Sequence, residues 1–326
     1  MAIRRKFIAG LAIAAAALAQ PAHAAGWPAK PITIINPYPV GGAVDIVARE
    51  VGMRLSAVLG QEVIVDTRSG AGGTIGAAKL AHSAPDGYTL MVHNQALPIS
   101  AALYGALPYD TGRDILPIAY LGATPNLLVV NNDVPAKTVA ELLALAKEKP
   151  GKINYGSAGA GSSSHIAMAM FVSMTGAKME HIPYKGSGPA MVGLVGGQTQ
   201  VMLQTAPAAM SFIQSGRLRA LATSGKNRSP ALPDVPTIAE SGVKGFEFYP
   251  WFGLFAPAGT APEVADKLHD AVNQVLKDPE LVDKLGRQSL EVDTMSRQAF
   301  ADLYQKDIAT WGKTLDQLGI KIETSR

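Results

Sequence analysis

Two runs rich in glycine, serine and other small residues have the composition to hold an anion without a charged side chain. They are Tyr38-Pro39-Val40-Gly41-Gly42-Ala43 and Ser157-Ala158-Gly159-Ala160-Gly161-Ser162-Ser163-Ser164. Each lies between an extended stretch and an amphipathic one, so each sets a row of backbone N–H groups at the start of a helix. The first N–H groups of a helix lack an intrahelical acceptor, and that end carries about half a positive charge. Glycine lets a ligand approach the backbone closely, and serine adds hydroxyl groups. A carboxylate fits such an end. Two of them facing each other across a cleft would hold a molecule with one or two carboxylates. The same residues also suit ordinary strand-to-helix turns capped by serine, and spacing alone leaves both readings open.

Other chemistries lack their parts. Cysteine is absent, which excludes disulfides, a thiolate nucleophile and Cys-ligated metal. His82, His93, His165, His181 and His269 show no metal-ligand spacing, so they read as structural, with His165 suited to supporting the second loop. Gly70-Ala71-Gly72-Gly73-Thr74-Ile75 approaches the dinucleotide fingerprint G-x-G-x-x-G but ends in isoleucine. Ser164 and His165 are adjacent, and neighbours on a helix do not face each other. No G-x-S-x-G elbow marks a hydrolase. With 29 basic and 26 acidic residues, the chain lacks the basic excess of a nucleic-acid binder. No enzyme activity, cofactor or metal is expected.

The elements that would position the two loops alternate between strand and helix, the pattern of a mostly parallel sheet covered by helices. Ile32–Ile35 reads as a strand, followed by a helix whose Val44, Val47, Val51, Leu55 and Val58 share one face. Strands are expected at 62–65, 88–92, 127–130, 153–155, 201–203 and 219–223. Thr138 with Glu141 reads as a capping box. Ile166, Met170, Phe171 and Met174 would form the buried face of the helix after the second loop, and a further helix is expected over 189–197. Trp251, Phe252 and Phe255 suit hinge or core packing better than a cleft wall, and Tyr184-Lys185-Gly186 suits a turn better than a ligand contact through Tyr184. From Pro262 onward the chain reads as helical, with Val264, Leu268, Val272 and Val275 on one face. A strand feeding a glycine-rich loop and a helix occurs near residue 40 and again near 160, a weak twofold echo.

The first 24 residues have the layout of a secretory signal peptide. Arg4, Arg5 and Lys6 precede a 13-residue apolar run, Phe7 to Ala19, and Ala22-His23-Ala24 is a cleavage site after Pro21. The run is shorter than the ~20 residues needed to span a bilayer. Arg4-Arg5 also partly resembles a twin-arginine signal, although the general secretory route fits better. Cleavage after Ala24 removes three of the 29 basic residues and none of the 26 acidic ones, which leaves a mature chain of zero net charge. The expected location is the periplasm.

Several longer motifs carry a family resemblance. They are Pro37-Tyr38-Pro39-Val40-Gly41-Gly42-Ala43-Val44-Asp45 with Ala48-Arg49, Gly70 to Gly76, and Asp86-Gly87-Tyr88-Thr89-Leu90. Asn154-Tyr155-Gly156-Ser157 with Gly159, Gly161-Ser162 and His165 follows, then Pro183-Tyr184-Lys185-Gly186. Pro233-Asp234-Val235-Pro236-Thr237 with Glu240 and Gly242, and Trp251 with Gly253 to Thr260, complete the series. In this order they resemble the substrate-binding proteins of tripartite tricarboxylate transporters, the Bordetella uptake proteins.

The resemblance implies an α/β, two-lobed periplasmic binding protein (type II-like) whose ligand cleft lies between lobes joined by two crossover segments. Lobe 1 would be 25–125 plus 248–326, and lobe 2 would be 126–247. It implies capture of a small organic acid for delivery to membrane permease subunits, by a protein expected to be monomeric. A ligand-sensing receptor feeding a two-component signalling system is the alternative. The implied ligand-binding residues are Tyr38, Gly41, Gly42, Ala43 and Asp45 in the first loop. In the second they are Ser157, Ala158, Gly159, Gly161, Ser162 and Ser164. Asn94, Gln204 and Thr205 join them from strand ends that face a crevice in open α/β sheets. Two positions depart from the usual pattern. Val40 replaces a common proline, and Gln204 stands where many members carry aspartate, which weakens the case for an amino-acid ligand. Asp45 suits either an amine partner or a charge in the first helical turn.

Overall fold

The computed structural model describes residues 26–104 and 106–320. The signal-peptide reading of residues 1–24 therefore lies outside the described residues. Two five-stranded sheets share one topology. The first has the order β2 (Val63–Thr67), β1 (Ile32–Asn36), β3 (Thr89–Asn94), β10 (Trp251–Pro257) and β4 (Ile115–Ala123). The second has β7 (Glu180–Pro183), β6 (Asn154–Ser157), β8 (Val201–Thr205), β5 (Asn126–Asn131) and β9 (Leu218–Thr223). In each sheet the first three strands run parallel and the fourth is antiparallel to both its neighbours. The twofold echo in the sequence is thus a repeated fold, with β1 equivalent to β6 and β3 to β8.

The antiparallel strand of each sheet is the one that arrives from the other. β4 of the first sheet leads through Thr124-Pro125 into β5 of the second, and the chain returns through 247–250 into β10. These two crossings touch. Thr124 N–H donates to the Pro250 carbonyl at 3.1 Å, and Phe248 N–H donates to Ser224 O at 2.9 Å. Ten helices are described. They are α1 (Ala43–Leu59), α2 (Thr74–Ala81), α3 (Ala96–Leu103), α4 (Val139–Glu148), α5 (Ser163–Thr175), α6 (Ser187–Val195), α7 (Ala206–Gln214), α8 (Pro262–Val275), α9 (Pro279–Gly286) and α10 (Arg297–Gln317).

The apolar faces read from the sequence pack as expected. Val44, Val47, Val51 and Leu55 of α1 are buried with Val264, Leu268, Val272 and Val275 of α8 in one core beside the first sheet. The Thr138–Glu141 capping box forms at α4. Ile166, Met170 and Phe171 are buried, but Met174, in the last turn of α5 before left-handed Gly176, is exposed. Trp251, Phe252 and Phe255 are core residues, and Trp251 Nε1 donates to Asp307 at 2.8 Å.

Some elements escape the sequence pattern for identifiable reasons. β4 carries Pro117 and Gly122 where its register against β10 shifts, and β7 is a short exposed edge ending in Pro183. α3 and α7 hold Pro98 and Pro207, both within a first turn, where no helical N–H is lost. α10 joins the two lobes. Phe300 and Tyr304 pack in the first lobe, whereas Leu315 and the following Ile320 pack with the second.

Gly253 in β10 lies flat beneath the Phe300 ring, and a Cβ there would overlap it. Gly253→Val should therefore lower unfolding free energy by about 1–3 kcal/mol, the usual cost of overpacking, measured by urea denaturation. An unchanged midpoint would show that this contact is slack.

Candidate ligand-binding site

Both loops leave the C-terminal end of a central parallel strand, β1 or β6, and both run directly into a helix, α1 or α5. Pairing of the sheets turns these ends toward each other. Between them lies a small inner chamber of about 20 Å³, on the order of the space one water needs. The first lobe lines it with Tyr38, Gly42, Ala43, Val44 and Asn94. The second contributes Ala158, Ser162, Ser163, Ser164 and Ser187, with Gln204 and Thr205 at the end of β8. An outer cleft of about 600 Å³ adjoins it through Tyr38 and Ala158, walled by Gly159, Tyr104, Tyr184, Lys185 and the Ser69–Gly73 turn.

Each loop uses part of its polar inventory to hold itself in shape. In the first, the Asp45 carboxylate accepts from Asn36 Nδ2 at 2.9 Å, Arg49 Nε at 2.9 Å and Gly41 N–H at 3.0 Å. Asp45 is buried, and its negative charge lies in the first turn of α1, where the helix dipole favours it. Gly41 (φ +89°) supplies the left-handed turn that points its N–H at this carboxylate. Gly41 and Asp45 are thus placed away from both the chamber and the outer cleft. Of the two roles open to Asp45 in the sequence, its geometry is that of the helix-turn charge. The N–H groups of Gly42, Ala43, Val44 and Asp45 have no acceptor among the described residues.

The second loop is held by imidazole. His165 Nδ1 accepts from Gly161 N–H at 3.2 Å, and the His165 ring stacks on His181 with centroids 4.0 Å apart. His181 Nε2 meets Ser157 Oγ at 2.6 Å, and Ser157 Oγ accepts from Gly159 N–H at 3.1 Å. Ser162 caps α5 by accepting from His165 N–H, and Ser164 Oγ accepts from Ala158 N–H at 2.9 Å. Ser157 and Gly161 thereby brace the loop and line neither cavity. The N–H groups of Ser163 and Ser164 stay free of protein acceptors among the described residues. Two buried side-chain groups at the chamber also lack partners there, Ser163 Oγ and Gln204 Nε2.

The two lobes touch at the cleft. Tyr104 OH donates to Ala160 O at 3.1 Å across the gap. Tyr38 OH donates to Gly72 O at 2.9 Å, and its ring meets His93 edge-on at 5.4 Å. Ser163, Val44, Ser187 and Tyr104 were not among the ligand-binding residues read from the sequence. The signal for Ser163 was present, because it lies between two serines already singled out. Ser187 and Tyr104 come near only through tertiary pairing.

Burial holds His165 and His181 neutral, with His181 pushed from an ordinary 6.5 down to about 4. His93 is lowered to about 4 for the same reason. The unfolded chain thus binds more protons than the native one between about pH 6.5 and 4. This contribution is fully present above pH 6.5 and drains away as pH falls toward 4. Thermal melts should show that loss, and His181→Phe, which keeps a stacked ring, should show a smaller one. Equal losses would remove the pair from the acid sensitivity.

The family described as tripartite tricarboxylate transporter family receptor matches residues 47–320. Protein BugT of Bordetella pertussis is 36% identical over 318 residues, covering 97% of this chain and 98% of BugT. R. palustris Rpa4515, solved with adipate, is 33% identical with a TM-score of 0.88, covering 90% of this chain and 99% of that one. MatC from Rhodopseudomonas palustris, solved with bound malate, is 31% identical with a TM-score of 0.85, covering 89% of this chain and 100% of MatC. The two-lobed α/β binding-protein fold expected from the motifs is the fold of these structures and of this chain. Among the described residues no helix is long and apolar enough to cross a membrane. Opposed glycine and serine loops, a doubled sheet topology and matches along nearly the whole length agree: the chain belongs to the tripartite tricarboxylate transporter receptor family.

Proposed function

We propose that the protein is a periplasmic receptor that traps a small carboxylate-bearing acid between its lobes and presents the closed form to membrane permease subunits. Its lobes would comprise 25–125 plus 248–326 and 126–247, with the last turns of α10 bracing the second. The protein would work as a monomer, reach the periplasm by cleavage after Ala24, and carry out no chemistry on its ligand.

The observation that carries this reading is the convergence of unpaired N–H groups from α1 and α5 on one chamber. Together they supply donors and two partial positive charges, which suit a carboxylate without an ion pair. Charge-assisted hydrogen bonds of this kind contribute roughly 1.5–3 kcal/mol each. The chamber has room for about one oxygen of an acid group, and the outer cleft has room for the rest of the molecule. The adipate and malate bound by the two relatives above are of this class. Tyr104 and the touching crossovers give the lobes a closed position and a hinge, the usual route to enclosing a ligand.

Calorimetry and thermal shift against dicarboxylic acids, adipate and malate included, test the reading. A bound acid at 100 times its Kd should add about 2.7 kcal/mol of stability. Gly42→Val sets a side chain 3.3 Å from Ser187 Oγ at a backbone conformation (φ −84°) that valine tolerates. It should weaken binding by about 100-fold or more, through loss of one or two charge-assisted bonds, in a chain that still folds. Undiminished affinity in that variant would remove the chamber from the binding reaction.

A further inference from the structure

We infer that the chamber selects acids bearing oxygen substituents or a second carboxylate and rejects α-amino acids, with Gln204 and Asn94 setting that choice. The inference rests on the carboxylate-binding reading above. It follows from which ends of the two amides are already engaged. Gln204 Oε1 accepts the N–H of Thr205 at 3.1 Å. That bond fixes the amide, since reversing it would set two donors against each other. The free end is Nε2, buried and without a partner among the described residues, on a side chain that lines the chamber.

Asn94 repeats the arrangement from the opposite lobe. Its Oδ1 accepts Ala96 N–H at 3.1 Å, which makes Nδ2 the donor end of a side chain lining the same chamber. Asn94 ends β3 and Gln204 lies next to the end of β8, the equivalent strands of the two sheets. Two amide NH2 groups thus belong to corresponding positions, beside the free N–H groups of two helix starts. Ser163 Oγ, also buried and unpartnered, is able to donate or accept.

Acceptors with negative charge are missing from both spaces. Neither the chamber nor the outer cleft is lined by aspartate or glutamate. Asp45, the carboxylate closest in sequence, lines neither space and is already engaged by Asn36, Arg49 and Gly41. An α-ammonium group brings three donors and a positive charge. In this chamber it would meet NH2 groups, the positive ends of two helices and uncharged hydroxyls such as Ser163 Oγ, with no carboxylate to offset its charge. A hydroxyl, carbonyl or second carboxylate oxygen would accept from those groups. Specificity then comes from a mismatch built against the amine as much as from contacts to the acid.

Matched pairs test this on the full chain by calorimetry: malate with aspartate, adipate with 2-aminoadipate, and 2-oxoglutarate with glutamate. Each pair differs in the group beside one carboxylate. The oxygen or unsubstituted member should bind about 100-fold tighter, the scale set by one buried polar group left without a matched partner. Gln204→Glu turns the free donor into an acceptor. It should weaken the acids by about tenfold and narrow the gap to the amino acids. Equal affinity within the pairs of the wild-type chain would overturn the inference, as would a folded Gln204→Glu chain whose preference is unchanged. Binding of no member of either class would instead overturn the carboxylate reading itself.

Discussion

Backbone N–H groups at a helix start must find acceptors outside the helix, and in this protein two such starts point into one gap. The beginnings of α1 and α5 cannot satisfy each other, because both are donors. Whatever joins them must be rich in acceptors, and an anion answers best because both ends are partly positive. The glycines and serines of the two loops serve this constraint. They bring backbone close to the gap and add no charge that would compete for the same anion.

Leaving those donors free requires the rest of each loop to be saturated. The first loop does this with a buried carboxylate, Asp45, which gathers Gly41 N–H, the Asn36 amide and Arg49. The second uses neutral imidazole, with His165 receiving Gly161 N–H and His181 holding Ser157. The two solutions differ in charge but leave the same groups exposed, the N–H groups of the first helical turn. A preorganised loop of this kind need not rearrange when an anion arrives, so little binding energy is lost to ordering.

The repeated topology explains why two loops so far apart in sequence are equivalent in space. Each sheet places its loop after the central parallel strand, and each lends the other its antiparallel fourth strand. The crossings through Thr124-Pro125 and 247–250 are therefore rooted in both sheets, and they touch through Thr124 and Pro250. These crossings form a seam between the lobes. α10 spans the seam, with Phe300 and Tyr304 in one core and Leu315 in the other.

Local pattern sufficed for the helices with clear apolar faces, α1 and α8, for the capping box of α4, and for the anion-binding composition of both loops. These are legible because periodicity and helix-start chemistry act within a few residues. The proline-bearing β4, α3 and α7 were not, since their stability comes from neighbours distant in the chain. The sequence likewise offered Asp45 as either an amine partner or a helix charge, and could not orient the amides of Asn94 and Gln204. Those outcomes depend on which backbone N–H lies within about 3 Å of each oxygen, and on which strand of the other lobe lies opposite. Only the paired sheets decided both, because hydrogen-bond partners are selected by position in space and not by order along the chain.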